Sequence, residues 1–252
     1  KINVPGNWEL QSHGEPVYTN TRYPWDYAAS GSHSIQPFNK GSDRDLRPYP
    51  PNIPDINPCG LYHTTFEIPA SWDEMDVFVD FYGVETAFDL WINGQSAGSS
   101  RDSKVPVQFE ITSFISHGRN ELALQVMRFD ASSYLEDQDY WHLCGVFRSV
   151  RIIAKPRKRI TDWKIDAVPD DSFTKGTVTA DVKVNKFTGY ADCKVRLELF
   201  SPEGSSVAAG ESPVSCIAQY RQDESPTSNT ARIIIGVGNI ELWSPDSPVL
   251  YK

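Results

Sequence analysis

Acidic and aromatic residues are concentrated in one stretch of the sequence, residues 133–150. Three acids and two aromatic residues stand there within six positions: Glu136, Asp137, Asp139, Tyr140 and Trp141. Carboxylate oxygens accept hydrogen bonds from sugar hydroxyls and bind hard cations, and an aromatic ring can lie against the apolar face of a pyranose. The stretch therefore favours hydroxyl and cation recognition. The alternative is a solvated loop whose acids offset neighbouring arginines.

Self-contained catalysis is not indicated by these acids. A retaining glycosidase needs two carboxylates about 5 to 5.5 Å apart on a rigid frame, with separate acid and nucleophile roles. Neighbouring acids in one loop repel each other, and nothing assigns one of them as the acid and another as the base. The sequence also has no GxSxG, HExxH, phosphate-loop or dinucleotide motif, and its five histidines are scattered singly.

The elements that must position this stretch are predicted to be β-strands. No window of a dozen residues keeps an apolar stripe at helical spacing, whereas residues 77–82 and 122–129 alternate apolar with other side chains. Asn93-Gly94 follows the apolar run 88–92 and favours a type I′ hairpin turn. Residues 146–154 are predicted to form the last strand of the first domain. The fold class is therefore all-β.

The two ends of the chain differ from this regular part. Trp8 follows Pro5-Gly6-Asn7 and either closes the core or lines a groove, and residues 16–25 suggest an extended edge or loop. Residues 26–58 are polar and rich in proline, which predicts a long surface excursion. From residue 163 onwards, short strand patterns and a Pro202-Glu203-Gly204 turn predict a small immunoglobulin-like sandwich.

Composition excludes several classes of protein. The formal net charge of −9 argues against nucleic-acid binding, and the single basic cluster, residues 155–159, is best interpreted as a solvated linker. No signal peptide is recognisable, and no apolar run approaches the roughly 20 residues that span a bilayer. The four cysteines form no CxxC pair, so neither a disulfide scaffold nor a zinc site is predicted.

Several motifs, in this order along the chain, carry a family resemblance. They are Pro5-Gly6-Asn7-Trp8, Pro16-Val17-Tyr18-Thr19-Asn20, Ala87-Phe88-Asp89-Leu90-Trp91-Ile92-Asn93-Gly94, Asp102-Ser103-Lys104-Val105-Pro106, Ser133-Tyr134-Leu135-Glu136-Asp137-Gln138-Asp139-Tyr140-Trp141, Gly145-Val146-Phe147-Arg148 and Leu242-Trp243-Ser244-Pro245. Together they closely resemble the N-terminal part of the large bacterial β-galactosidases of glycoside hydrolase family 2.

The resemblance implies two domains: a jelly-roll sugar-binding β-sandwich over residues 1–156 and an immunoglobulin-like β-sandwich over residues 157–252. In the family, a following TIM barrel supplies both catalytic glutamates of a retaining double displacement. The resemblance therefore implies an inactive fragment, trimmed at both ends, of an enzyme that cleaves terminal β-galactosides. It also implies that the full-length enzyme uses sodium and magnesium and assembles into a homo-oligomer.

Two site residues follow from the resemblance. Asp139, the last acid of Glu-Asp-Gln-Asp, matches the family residue that reaches the barrel's active site and touches both the galactosyl hydroxyls and a sodium ion. Glu85 is the second substrate-binding candidate, because the best-known member has an asparagine near the sugar there. The glutamate departs from that pattern, since it adds a charge and removes a donor. The insertion at residues 26–47 either shapes the site or makes an oligomer contact.

Other functions also fit the sequence. The β-glucuronidases and β-mannosidases share the architecture, although the Asp-Ser-Lys-Val-Pro and Glu-Asp-Gln-Asp motifs fit the galactosidases better. A free-standing carbohydrate-binding module would bind sugar with its own loops, and an assembly role would use the jelly roll as an interface. The sequence does not fix the natural glycoside or the compartment, cytoplasmic or periplasmic.

Overall fold

The protein is described here by a computed structural model that covers residues 1–19, 23, 51–54, 57–136, 138–185, 192–217 and 228–252. The chain divides into two compact units, Lys1–Lys155 and Pro156–Lys252. Both are all-β, as the sequence predicts, and the helices within the described ranges are short 3-10 turns. Most of the proline-rich excursion, including the 26–47 insertion, lies outside the described residues, and so does Asp137.

The described part of the first unit contains nine strands. Their bounds are β1 Val17–Thr19, β2 Cys59–Ile68, β3 Met75–Phe81, β4 Ala87–Ile92, β5 Gln95–Ser100, β6 Val107–Glu110, β7 Gly118–Met127, β8 Tyr140–His142 and β9 Val150–Pro156. They form a four-stranded sheet in the order β2-β7-β4-β5, a three-stranded sheet in the order β6-β3-β9, and a two-stranded sheet of β1 and β8. The 3-10 turns among the described residues of this unit are Glu9–Gln11, Ala70–Trp72, Thr112–Phe114 and Ala131–Tyr134.

The two larger sheets share one hydrophobic core. In β7 every second residue is buried, and Leu122, Leu124 and Val126 point into this core. Phe81 of β3 and Phe88 of β4 meet there with ring centroids 4.9 Å apart. Burying each such side chain stabilises the folded state by about 1.5–3 kcal/mol. Because successive side chains of a strand point to opposite faces, the alternating apolar residues of β7 all reach this core.

Strand β3 is buried more completely than its alternation alone indicates. Its last five residues are all buried, because β3 is the central strand of its sheet. Asp80, on the other face from Val79, accepts a hydrogen bond of 2.5 Å from the Gln108 side chain. The carboxylate is therefore buried with a partner rather than alone.

The hairpin prediction at Asn93-Gly94 is confirmed. Both residues have positive φ, 51° and 77°, as a type I′ turn requires, and they join β4 to β5. The Asn93 side chain also donates 2.8 Å hydrogen bonds to the Phe114 carbonyl and to Asn120 Oδ1. The turn is thus fixed by tertiary contacts in addition to its local preference.

The last strand of the first unit begins later than the sequence predicts. Strand β9 starts at Val150, not at Val146. Gly145 has φ of 119° and exchanges two backbone hydrogen bonds with Glu85, at 2.9 and 3.0 Å. Gly6 N–H donates to the Val146 carbonyl at 2.8 Å, so Val146 is hydrogen-bonded to the N-terminal segment and not to a strand of the sheet. Trp8 is buried, and its ring therefore closes the core.

The second unit contains six strands in its described part. Their bounds are β10 Ile160–Pro169, β11 Lys175–Val184, β12 Lys194–Phe200, β13 Ser206–Pro213, β14 Ser215–Ile217 and β15 Ser228–Gly238. One sheet has the order β10-β11-β15-β14, and the other consists of β12 and β13. Their shared core includes Ala180, Ala231, Ile233 and Ile235.

The two sheets of the second unit approach closely at Gly210. A methyl group added there would lie 2.7 Å from Ile235 and 3.1 Å from Ile233, so the position needs a residue without a side chain. This packing defines the immunoglobulin-like sandwich.

Within the described ranges of the chain, no helix has the length and apolar character needed to cross a membrane.

Candidate functional site

The acidic stretch is held in place by a short helical turn and a short strand. Asp130 caps the turn Ala131–Tyr134: its carboxylate accepts from Ser132 N–H at 3.1 Å, and its own N–H donates to Ser133 Oγ at 3.1 Å. After this turn the chain enters β8, which pairs with β1 so that Trp141 stands opposite Tyr18. The stretch therefore has more regular structure than its sequence pattern indicates.

Asp139 lies at the exposed rim of this arrangement. Its Oδ1 accepts a hydrogen bond of 2.6 Å from the Tyr18 hydroxyl. Trp141 is 56% exposed, and its ring centroid lies 5.7 Å from that of Tyr18. A carboxylate beside exposed aromatic rings can accept hydrogen bonds from sugar hydroxyls while a ring covers an apolar sugar face.

Glu85 lies in a different environment from Asp139. Its side chain is 6% exposed, and Oε2 pairs with Lys104 Nζ. The Tyr140 hydroxyl lies 3.3 Å from Oε1. Burial raises the pKa of the Glu85 carboxyl, and the Lys104 ammonium and the Tyr140 hydroxyl partly oppose this shift. Both oxygens of Glu85 therefore already face protein donors.

Glu136 is bound by the segment that precedes β6. The Ser103 hydroxyl donates to Glu136 Oε2 at 2.5 Å, and Ser103 N–H donates to Oε1 at 3.0 Å. The Tyr140 hydroxyl lies 3.0 Å from the Glu136 carbonyl. Burial and the nearby Glu85 and Glu136 charges raise the pKa of Tyr140, so this hydroxyl keeps its proton and acts as a donor.

Behind this network lies a buried polar cluster. Glu9 and Arg128 are both buried, with Arg128 Nη2 3.7 Å from Glu9 Oε1 and Cys144 N–H donating to Glu9 Oε2 at 2.9 Å. Burial raises the pKa of Glu9 and of the Cys144 thiol, and it lowers the pKa of His142 to about 4. His142 is therefore neutral at pH 7.

The buried side of the site has no room for a sugar. The cavity among Glu85, Tyr140 and His142 offers about 10 Å³ to the centre of a water molecule. That volume accommodates about one water. A saccharide can consequently meet this part of the protein only at the exposed side, where Asp139, Tyr18 and Trp141 lie.

The structure brings Asp139 and Glu85 into the same neighbourhood through Tyr140, which follows Asp139 and contacts Glu85. No group of three or more metal-ligating side chains occurs in the described part of the chain. Asp139 offers a hard oxygen of the kind that sodium binds, but a complete site needs further ligands from elsewhere. Magnesium has no assigned residue, and both ions remain predictions.

Sequence reasoning did not find three contacts of this site: the Tyr18 hydroxyl on Asp139, Ser103 on Glu136, and Lys104 on Glu85. The motif that contains Ser103 and Lys104 supports the family resemblance, but it does not indicate which acids these two residues contact. The donors and acceptors are 19 to 121 positions apart in the chain. Only the tertiary structure joins them.

The fold is a jelly roll followed along the chain by an immunoglobulin-like domain. Residues 45–156 match the family described as "Glycosyl hydrolases family 2, sugar binding domain", and residues 158–252 match "Glycosyl hydrolases family 2". The chain therefore belongs to glycosyl hydrolases family 2.

Two curated relatives match over the whole of this chain. A β-galactosidase of Halalkalibacterium halodurans is 34% identical over 252 residues, and one of Psychromonas ingrahamii is 32% identical over 255 residues. In both cases the chain spans 22% of the relative's length.

Two solved glycosidase structures share the fold. A β-glucuronidase of Bifidobacterium dentium matches with a TM-score of 0.55 and 19% identity, over 76% of this chain and 35% of that one. A β-glycosidase of Bacteroides vulgatus matches with a TM-score of 0.54 and 20% identity, over 77% of this chain and 23% of that one. At these identities the likeness concerns the fold alone.

Proposed function

We propose that this chain forms the sugar-binding and immunoglobulin-like portion of a longer retaining glycosidase that hydrolyses terminal β-D-galactosides. Family membership and the 34% identical relative named as a β-galactosidase support this assignment. The solved neighbours named as β-glucuronidases are more distant, at about 20% identity. We therefore prefer the hypothesis of galactoside specificity to that of glucuronide specificity.

Asp139 is the residue of this chain that we assign to the substrate and to a sodium ion. The observation that carries the assignment is its exposed carboxylate beside Tyr18 and the exposed Trp141. Tyr18 engages Oδ1, and Oδ2 has no hydrogen-bond partner among the residues that the structure describes. That oxygen is available to a sugar hydroxyl or a cation at the rim of an active site.

The catalytic acid and nucleophile are assigned to the part of the longer enzyme beyond this chain. Glu85 and Glu136, the carboxylates nearest to Asp139 in the described network, are engaged by Lys104, Tyr140 and Ser103. A carboxylate so engaged, in a space for about one water, has no access to a glycosidic bond. The chain on its own is accordingly proposed to lack hydrolytic activity.

The test is Asp139→Asn in the longer enzyme, assayed with nitrophenyl β-galactoside and nitrophenyl β-glucuronide at varied sodium concentration. We expect kcat/KM for the galactoside to fall about tenfold or more and the sodium dependence to weaken, because the amide removes a charge. Asp171→Asn, the same change at an exposed site in the second unit, is the matched control. Unchanged galactoside kinetics would refute the assignment of Asp139, and a preference for the glucuronide would refute the substrate class.

A second candidate function is that of a carbohydrate-binding module that acts without a barrel. The exposed Trp141 ring favours it, because such rings bind pyranose faces in shallow sites. Calorimetric titration of galactose or lactose into the 252-residue chain tests it, with Trp141→Ala as the negative control. Saturable binding at millimolar concentration or tighter, lost in Trp141→Ala, would support the module. No detectable binding would favour a site completed by the rest of the enzyme.

A further inference from the structure

We propose that residues 101–104, together with Glu85 and Tyr140, form a clamp that positions Asp139, and that Glu85 acts through this clamp instead of contacting the sugar. The inference rests on the proposed function of Asp139. It assigns a role to Ser103 and Lys104 of the Asp-Ser-Lys-Val-Pro motif, and it assigns to Glu85 a different role from the one that the family resemblance implies.

The first part of the clamp holds the residues before Asp139. Arg101 Nε lies 3.1 Å from Asp130 Oδ2, at the start of the helical turn. Ser103, which is fully buried, donates both its hydroxyl and its N–H to the Glu136 carboxylate, at 2.5 and 3.0 Å. Two hydrogen bonds from one buried residue to both oxygens of a carboxylate hold that side chain in one orientation, so Ser103 fixes Glu136.

The second part holds the residue after Asp139. The Tyr140 hydroxyl lies 3.0 Å from the Glu136 carbonyl and 3.3 Å from Glu85 Oε1. Lys104 Nζ pairs with Glu85 Oε2 and lies 4.8 Å from the centroid of the Tyr140 ring. The single Tyr140 O–H proton is thus shared between the Glu136 carbonyl and the Glu85 carboxylate, and Lys104 lies over the ring face.

Asp139 stands between these two fixed residues, three positions after Glu136 and one before Tyr140. With Glu136 and Tyr140 held on either side of it, the backbone at Asp139 is constrained, and the Tyr18 hydroxyl donates to Asp139 Oδ1 at 2.6 Å. Displacement of a positioning group by about 1 Å can lower a rate on the order of 100-fold. Weakening the clamp should therefore impair the enzyme through Asp139.

Glu85 cannot reach a sugar from its observed place. Its side chain is 6% exposed, and the adjoining cavity admits about one water. Its effect on a substrate must pass through Tyr140 or Lys104. A positioning residue can be told from a ligand by substitution. Changing a positioning residue no longer affects the rate once the residue that it positions has been replaced, whereas changing a ligand still does.

The experiment is a double-mutant cycle in the longer enzyme, combining Tyr140→Phe with Asp139→Asn and, separately, Glu85→Gln with Asp139→Asn. We expect Tyr140→Phe and Glu85→Gln each to lower kcat/KM for the galactoside about tenfold in the wild-type background, and less than twofold in the Asp139→Asn background. Tyr134→Phe is the matched control, because its hydroxyl bonds the Asn52 carbonyl at 2.7 Å, outside the clamp.

Hydrogen–deuterium exchange of the 252-residue chain supplies a second readout that does not require activity. Tyr140→Phe and Ser103→Ala should speed exchange in peptides covering residues 135–142 at least fivefold while leaving β7 unchanged, and Ser99→Ala, an exposed serine of β5, should not. If exchange in residues 135–142 stays at the wild-type rate in both variants, the clamp is refuted.

The outcomes separate this inference from the proposed function. A Glu85→Gln effect of equal size in both backgrounds would overturn the clamp and indicate direct contact with the sugar. A normal rate in Asp139→Asn would instead overturn the function of Asp139, whatever the exchange data show. Loss of the Tyr140→Phe and Glu85→Gln effects in the Asp139→Asn background, together with faster exchange in Tyr140→Phe, supports the clamp.

Discussion

We expect His142 to make the stability of the first unit fall in acid. The side chain is buried, its ring centroid lies 4.5 Å from that of Tyr140, and its Nε2 has no hydrogen-bond partner in the described part of the chain. Burial, with the nearby Lys104 and Arg128 charges, lowers its pKa from 6.5 to about 4. The folded protein consequently resists a proton that the unfolded chain accepts readily.

The sign and the size of the effect follow from proton linkage. As the pH falls below 6.5, the unfolded chain binds a proton at residue 142 while the folded chain does not, so stability is lost on acidification. With the lowered pKa near 4, the loss relative to pH 7 amounts to about 2 kcal/mol at pH 5 and about 3 kcal/mol at pH 4. Below pH 4 the folded protein also takes up the proton, and the loss levels off.

The assay compares wild type with His142→Gln in urea at pH 7, 5 and 4, following the first unit by exchange protection in β7. The stability that wild type loses between pH 7 and pH 5 should be about 2 kcal/mol larger than the loss in the variant. Glu9 and Glu85 have raised pKa values and act in the opposite direction, but both are present in each protein, so the difference isolates His142. His13→Gln, at an exposed histidine, is the control.

Parallel pH profiles for wild type and His142→Gln would refute this reasoning. They would mean that the folded protein protonates His142 as easily as the unfolded chain does, for example because water reaches the ring. A profile that His13→Gln changes as much as His142→Gln would refute it equally, since exposure would then not matter.

Two further predictions concern the packing of the first unit, and both are read from urea unfolding of that unit. Arg128→Met leaves the Glu9 carboxylate buried without its cation and should cost about 3–5 kcal/mol at pH 7. The cost should shrink on acidification, because burial raises the pKa of Glu9 and its carboxyl can take up a proton, and a cost that does not change with pH would contradict the buried pair. Gly60→Ala places a methyl group 2.2 Å from the buried Trp8 ring and should cost about 1–3 kcal/mol of unfolding free energy. Gly236→Ala in the second unit is the control, because its methyl group meets open space and should change the stability of that unit by no more than about 0.5 kcal/mol. A neutral Gly60→Ala would show that the Trp8 ring can move aside.

Much of the fold could be predicted because its signals are local. Alternation in β7 reports which residues face the core, and Asn93-Gly94 tolerates the positive φ angles that its turn requires. The start of β9 was predicted wrongly at Val146. The backbone turns at Gly145, Val146 accepts from Gly6 N–H, and Arg148 and Ser149 bond to Gly83 and Tyr82, and the local sequence reports none of these contacts.

The site was predictable only in part. Asp139 came from a family resemblance, and its contact with the sugar stays a prediction, although its exposure and the Tyr18 hydrogen bond fit such a role. Glu85 came from the same source, and nothing in its sequence neighbourhood indicates that Lys104 and Tyr140 engage its carboxylate. Two acids that look alike in the sequence thus have opposite environments in the structure.

The sequence by itself determined the all-β class, the alternation that builds the cores, the hairpin at Asn93-Gly94 and the family. Each of these depends on local residue patterns or on motifs that can be recognised without the structure. The tertiary structure alone decided which acids are exposed and which are buried. That decision depends on donors far away in the chain, such as Ser103 for Glu136 and Tyr18 for Asp139. The chemistry of a carboxylate follows from its solvent access and its partners, and both are set only when distant segments meet.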